Sequence, residues 1–324
     1  MAEAYVRAFQ TIVGLLGIFG NSLVCVVIWR VRIMHTLTNV FIFNQAVVDF
    51  FSSLMLILTI NVPVPEKVPE GVAGLLMCYL WVTRVFLWSS FFTSTTSLVS
   101  LTIERYVAIV FPFKYQVFFG RRVAAGLITA TWVYGFLSSG FNLVWVEYVE
   151  KDGICKSYVL PEPPVVSAFL LLQLNFMVPA TVMFIAYSHI SVTLKRTAKR
   201  AAPTTGASSS STDATTIDGS LLRARRNTFK TLFIVFVVYM ICWAPNTIIF
   251  SLFLLGVEID LEGALYIISV FLVVCNSCAN PIIYALKYRQ FRKGLNKLLG
   301  RNNRVDIDGD VTTVSGRTGQ RERT

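Results

Sequence analysis

Charge is scarce in this chain. Lys, Arg, Asp and Glu make up 15% of its 324 residues, against about 25% in an ordinary soluble protein, and the mean hydropathy is +0.63. The deficit is uneven, because long stretches carry almost no charge and the charges cluster between them. That pattern argues against a soluble domain and for a multi-span membrane protein. Histidine is nearly missing as well: His35 and His189 are the two in the chain. No metal-spaced cluster or catalytic constellation can be assembled from them, which argues against an enzyme. No Asn-x-Ser/Thr acceptor occurs, so a glycosylated ectodomain capturing a large protein is not expected. The repeats that mark many transporters are lacking too, leaving a transporter as the distant alternative. The opening "MAEAYVRAFQ" has no basic region leading to an apolar core and a cleavage site. The first apolar segment is therefore expected to serve as its own insertion signal.

Seven segments are long enough to cross about 30 Å of hydrocarbon at roughly 1.5 Å per residue. They run approximately 8–29, 39–61, 75–110, 123–145, 165–194, 231–255 and 264–286. Lipid offers a free backbone no hydrogen bond, so each is expected to be a helix. The third and fifth exceed what a bilayer needs and should tilt or project. The fold class that follows is an all-α membrane protein, a bundle of seven transmembrane helices. Basic residues in the short loops set its orientation. With the N-terminus outside, the inner loops hold Arg30, Arg32, Lys114, Arg121, Arg122, Lys195, Arg196, Lys199, Arg200, Arg223, Arg225 and Arg226. The outer segments hold only Arg7, Lys67, Lys151 and Lys156, and most of the acids. The net charge of +11 is then an inner-face charge, suited to anionic membrane lipids and an acidic cytosolic partner rather than to nucleic acid.

After Tyr288, "RQFRKGLNKLLG" alternates apolar and basic residues at helical spacing, the pattern of a short amphipathic helix on the membrane surface. The seven-span body with this eighth helix fills 1–299, and the polar 300–324 reads as a disordered cytosolic tail. Within the body, "APTTGASSSSTDATTIDGS" from Ala202 to Ser220 is too poor in apolar residues to pack. It reads as a flexible third inner loop.

Ionisable residues inside the spans are few, and such residues mark function by default. Asp49 lies mid-span in "FNQAVVDFFSS"; Glu104 and Arg105 lie near the inner end of the third span and Arg84 near its outer end. An isolated carboxylate in hydrocarbon protonates or finds a cation. Asp49 therefore reads either as a hydrogen-bonded core acid or as part of a cation site. Pro179, Pro245 and Pro281 fall inside the last three spans. Each removes a backbone donor and weakens its helix, as expected of a bundle that switches arrangement.

Taken in order along seven spans, these residues form a combination. Gly20-Asn21 lies in the first, Asp49 in the second, Glu104-Arg105-Tyr106 at the end of the third and Trp132 in the fourth. Pro179 and Tyr187 lie in the fifth, Cys242-Trp243-Ala244-Pro245 in the sixth and Asn280-Pro281-Ile282-Ile283-Tyr284 in the seventh. From about Val6 to Leu299 the chain resembles the rhodopsin-like (class A) family of G-protein-coupled receptors. The resemblance implies a plasma-membrane receptor that binds an extracellular ligand and activates a heterotrimeric G protein, with arrestin and a receptor kinase as further partners. It implies that Glu104 holds Arg105 at rest, that the freed Arg105 meets the G protein, and that Tyr187 and Tyr284 swing inward on activation. Tyr106, Trp243, Pro245, Asn280 and Pro281 complete the implied switch. It implies an allosteric sodium ion held by Asp49, Ser94, Asn276, Ser277 and Asn280, oxygens that suit a hard cation, and no other cofactor. It also implies a disulfide between Cys78 and Cys155. Two departures stand out. "LLRARRNTFK" at the foot of the sixth span offers no acid to lock Arg105, and Cys78 lies 27 positions before Arg105, two more than the family's usual spacing.

The retinal-binding lysine of the family is missing from Val270 to Leu286, and the amine-binding aspartate is missing from Leu75 to Ile103, where Leu87 takes its position. A short neuropeptide is the ligand class favoured, with a lipid or small organic molecule as the alternative. Arg84, Leu87, Trp88 and Phe91 on the third span, with Asn246, Phe250 and Tyr266 opposite, are the expected pocket. Aromatic faces would supply apolar contact, and Arg84 a forked hydrogen bond.

Overall fold

A computed structural model describes residues 2–157, 163–200 and 212–300. Among these residues seven helices are long and apolar enough to cross a membrane: Ala4–Arg30, Leu37–Asn61, Gly71–Val110, Arg121–Val144, Val165–Thr197, Arg226–Leu254 and Ala264–Lys287. Their apolar surface faces outward. On the first helix Leu16, Phe19, Leu23 and Val26 are exposed, three or four residues apart, while Asn21, Val24 and Val27 are buried. That arrangement suits a lipid solvent, in which helices associate through packing and hydrogen bonds rather than by hiding apolar area.

The third helix is central. It packs against the second, fourth, fifth and sixth, and the first helix packs against the second and seventh. Many buried residues of the third helix are Ser or Thr, and their hydroxyls return to the helix's own carbonyls, as Ser89 does to Val85 (2.6 Å) and Thr102 to Leu98 (2.8 Å). Small side chains so satisfied allow close approach in lipid. Thr93 lies against Gly135, where an added Cβ would fall 2.0 Å from the Thr93 hydroxyl.

Three proline positions are built into helices without ending them, at Pro179, Pro245 and Pro281. Pro281 cannot donate to the carbonyl four residues back, at Ser277. The Asn21 side chain supplies the missing donor, with Nδ2 2.9 Å from the Ser277 carbonyl. The first helix comes close enough to do so because Gly20 has no side chain; a Cβ there would meet Pro281 at 3.0 Å.

The third span departs from the unbroken helix expected over 75–110. It consists of Gly71–Leu76, a π-helical stretch Met77–Val82, and an α-helix Val85–Val110. Arg84, at the break, has φ 52°, a left-handed conformation that costs a non-glycine residue energy. A π-turn takes up additional residues without lengthening the helix correspondingly. The π-turn and the break thus absorb the extra spacing between Cys78 and Arg105.

A short helix, Arg289–Leu298, follows the seventh span, with Phe291 and Gly294 buried. Gly294 rests on Val27 and Met34. The expected flexible loop over 202–220 needs correcting in part: from Thr212 the chain is already helical and runs unbroken to Leu254. Once the apolar span has nucleated a helix, each further residue costs little to add. Residues 202–211 and the tail 301–324 lie outside the described residues.

Candidate functional site

At one end of the bundle two strands, β1 (Val146–Val149) and β2 (Ile154–Ser157), form an antiparallel hairpin with Tyr148 opposite Cys155. Gly153 makes the turn with φ 59°. Cys155 is disulfide-bonded to Cys78 at the π-helical stretch. Two further contacts tie the hairpin down: Tyr148 Oη donates to the Pro69 carbonyl (3.1 Å), and Val68 N to the Gly153 carbonyl (2.7 Å). Val68, Cys78 and Val146 pack beneath it.

Below the hairpin lies a cavity of about 470 Å³ between the third, fourth, fifth, sixth and seventh spans. Trp88, Phe176, Phe250 and Tyr266 supply aromatic walls, and Asn142, Asn175 and Asn246 supply amides. No Asp, Glu, Lys or Arg is among the described residues lining it. The amides are partly engaged: Asn246 Nδ2 donates to Ser269 Oγ (3.1 Å), and Asn175 Oδ1 accepts from Tyr134 Oη (3.1 Å). Of the pocket residues expected from the sequence, Trp88, Asn246, Phe250 and Tyr266 line this cavity. The other three do not: Arg84 is exposed, and Leu87 and Phe91 are buried in the core. Arg84 still accepts from Trp88 N (3.1 Å) as the cap of the helix, but its left-handed backbone, φ 52°, directs its side chain differently from a helical residue at that position. The Phe91 ring meets Trp243 edge-on at 5.8 Å, which links the cavity to the proline-weakened sixth helix.

Asp49 is fully buried at mid-span. Ser94 Oγ donates to its Oδ1 (2.7 Å) and Asn280 Nδ2 to its Oδ2 (2.7 Å). Gln45, one helical turn earlier, places Nε2 3.1 Å from both carboxylate oxygens and 2.7 Å from Ser94 Oγ. This nitrogen thus stands within hydrogen-bond distance of both groups that the expected cation would have to draw on. Asn276 and Ser277 are buried, but neither side chain bonds Asp49; Ser277 takes part through its carbonyl, which accepts from Asn21. So arranged, the five residues bring three side chains together and do not fit the expected sodium ion.

At the opposite end, Arg105 holds both oxygens of Glu104 through Nε and a terminal nitrogen. Glu104 is fully buried and also accepts from Tyr115 Oη (2.6 Å) and Thr38 Oγ1 (3.3 Å). Tyr115 sits on a short helix, Pro112–Phe118, whose first residue is a proline, a position where the missing N–H costs nothing. Burial first, then the bond to Glu104, raises the Tyr115 phenol above its ordinary pKa, so it remains a donor at neutral pH. Tyr187 Oη lies 3.0 Å from Thr102 Oγ1, among Phe229, Phe233 and Phe236. Tyr284 is buried, and its hydroxyl has no hydrogen-bond partner among the described residues. Tyr106 Oη meets His189 Nδ1 at 3.0 Å.

The model of the seven-transmembrane receptor (rhodopsin) family matches residues 20–284, which include the hairpin, the cavity lining, Asp49 with its partners, and Glu104 with Arg105. The chain belongs to the rhodopsin family of seven-transmembrane receptors. Over 329 residues it is 27% identical to galanin receptor 2b of Danio rerio, covering 97% of this chain and 82% of that one. It is 31% identical over 293 residues to somatostatin receptor type 5 of Rattus norvegicus, with 87% and 74% covered. It is 26% identical over 345 residues to cholecystokinin receptor type A of Cavia porcellus, with 88% and 78% covered. The molecule is a G-protein-coupled receptor and not an enzyme.

Three side chains of this receptor escaped the sequence reading. Gln45 lies four residues before Asp49, hence on the same helical face, and an amide within an apolar span was the available signal. Thr38, in the first turn of the second span, and Tyr115, on the short helix after the third, carried none, because a position at the end of a span gives no sign of which neighbouring helix its side chain will reach. Trp132 was read from its place in the fourth span. Its Nε1 donates to Asn44 Oδ1 (3.0 Å), whose amide donates to Ser97 Oγ (2.9 Å), so one chain of bonds joins the fourth, second and third helices.

Proposed function

We propose that this receptor sits in the plasma membrane with its disulfide-bonded hairpin outside, that its cavity takes one end of a short peptide, and that its Arg105 end engages a heterotrimeric G protein. The neutral cavity carries the ligand reading. With no acid on its lining it has no counter-ion for an amine, while aromatic faces and free amide edges suit apolar side chains and a peptide's own amides. Above it, Glu147, Glu150, Asp152, Glu258, Asp260 and Glu262 are exposed. Such a rim draws a basic peptide toward the opening, an effect that fades as salt rises. The relatives support the same reading, being named for the peptides galanin, somatostatin and cholecystokinin. Basic residues gathered at the Arg105 end support the orientation.

The deciding experiment measures guanine-nucleotide exchange in membranes of cells expressing the chain, against a panel of short neuropeptides, neutral lipids and biogenic amines. A peptide response at low concentration is expected; a response confined to lipids or amines overturns the peptide reading. A C-terminal epitope should stain only in permeabilised cells, and staining of intact cells overturns the orientation.

A further inference from the structure

We propose that the side-chain amide of Gln45 is a built-in substitute for the sodium ion beside Asp49, so that this receptor's polar core is closed without a cation. The bond count is complete on the inner side. Gln45 Nε2 carries two hydrogens; one goes to Ser94 Oγ and the other is shared between the two Asp49 oxygens. Ser94 then spends its own hydrogen on Asp49 Oδ1 and its lone pair on Gln45, and Asn280 covers Oδ2. Each carboxylate oxygen accepts two contacts, and the serine has committed its hydrogen and one of its two lone pairs.

What the amide gives up identifies its role. Gln45 is fully buried, and its Oε1 has no hydrogen-bond partner among the described residues, an arrangement that costs free energy. Turning the amide over would not relieve it, because Oε1 would then face the Asp49 oxygens. The orientation is held by the carboxylate, and the nitrogen stands where carboxylate and hydroxyl meet, within hydrogen-bond distance of both. The amide joins the second helix to the third through Ser94, and Asp49 joins the second to the seventh through Asn280. These are the helices an ion would hold together, but a covalently attached group has no dissociation constant, so the restraint does not vary with sodium concentration.

The test needs no agonist and holds whatever ligand the receptor proves to bind, so its failure is separable from failure of the peptide reading. The full chain, purified in detergent, is melted in sodium chloride and in potassium chloride at equal ionic strength. The unmutated receptor is expected to melt at the same temperature in both. Q45L keeps roughly the volume of the side chain while removing the plug, and should acquire a sodium-specific rise of about 2–4 °C, the scale of one saturable ligand near tenfold excess over its dissociation constant. Adding D49N to Q45L should abolish that rise. Sodium-specific stabilisation of the unmutated receptor overturns the proposal, above all if Q45L removes it, since Gln45 would then be a ligand. No gain in Q45L overturns it too. Q45A is the second variant; if neither folds, the unmutated comparison alone decides, with equal melting upholding the proposal.

Discussion

Asn21 donates its side-chain amide to the carbonyl of Ser277 at 2.9 Å, the carbonyl that Pro281 leaves without its helical partner. A weakness within the seventh helix is thus repaired by the first. The repair keeps Pro281 in a continuous helix while leaving its geometry dependent on a side chain that can move away.

Asn21→Ala should therefore strand a buried carbonyl, at a cost of about 1–3 kcal/mol. On the per-residue scale of folded domains that is a loss of about 1–2 °C in melting temperature for each kcal/mol. In the background of Pro281→Ala, which restores the backbone donor, the same change should cost clearly less. Equal costs in the two backgrounds would show that Asn21 acts elsewhere.

Glu104 restrains Arg105 with no acid between Leu221 and Lys230 to assist it. Glu104→Gln should raise basal nucleotide exchange severalfold without ligand. Tyr115→Phe removes one of the donors holding Glu104 and should shift basal exchange the same way by less. Unchanged basal exchange in Glu104→Gln would place the resting restraint outside this pair.

The disulfide joins residues 77 apart in sequence. Closing a loop of that length stabilises a soluble chain by about 4 kcal/mol, and less here, because inserted spans already confine the unfolded state. Cys155→Ser should lower the melting temperature, and reductant should lower that of the unmutated receptor to match. A reductant-insensitive melting curve would contradict this role.

The cavity wall separates two substitutions that the sequence alone would have grouped together. Phe250 lines the cavity and Arg84 does not. Phe250→Ala should weaken the potency of the agonist returned by the ligand panel more than tenfold at normal surface expression, the scale of a lost aromatic anchor. Arg84→Ala should weaken it much less. The opposite order would show that the ligand is held above the cavity, at the rim.

Legibility in the sequence followed the range of the forces concerned. Apolar runs long enough for lipid announced seven spans, and the observed ends of all seven fall within a few residues of the expected ones. The Glu104–Arg105 pair and the prolines could be read because neighbouring residues or a single side chain define them. The helical start at Thr212 could not, since propagation from a distant apolar stretch leaves no local mark.

The sequence by itself determined the number of spans, their apolar outward surfaces and which polar residues must be buried. Helical periodicity says which residues share a face of one helix. It says nothing about how that helix is rotated against its neighbours, and it fails wherever the helix is interrupted. Only the tertiary structure decided that Arg84, left-handed at the head of its helix, stands outside the cavity. Only the tertiary structure brought Ser94 and Asn280 to Asp49 and placed the Gln45 amide between them. The reason is that a buried polar group in lipid must find its partners across helices, and which partners it finds depends on packing among all of them.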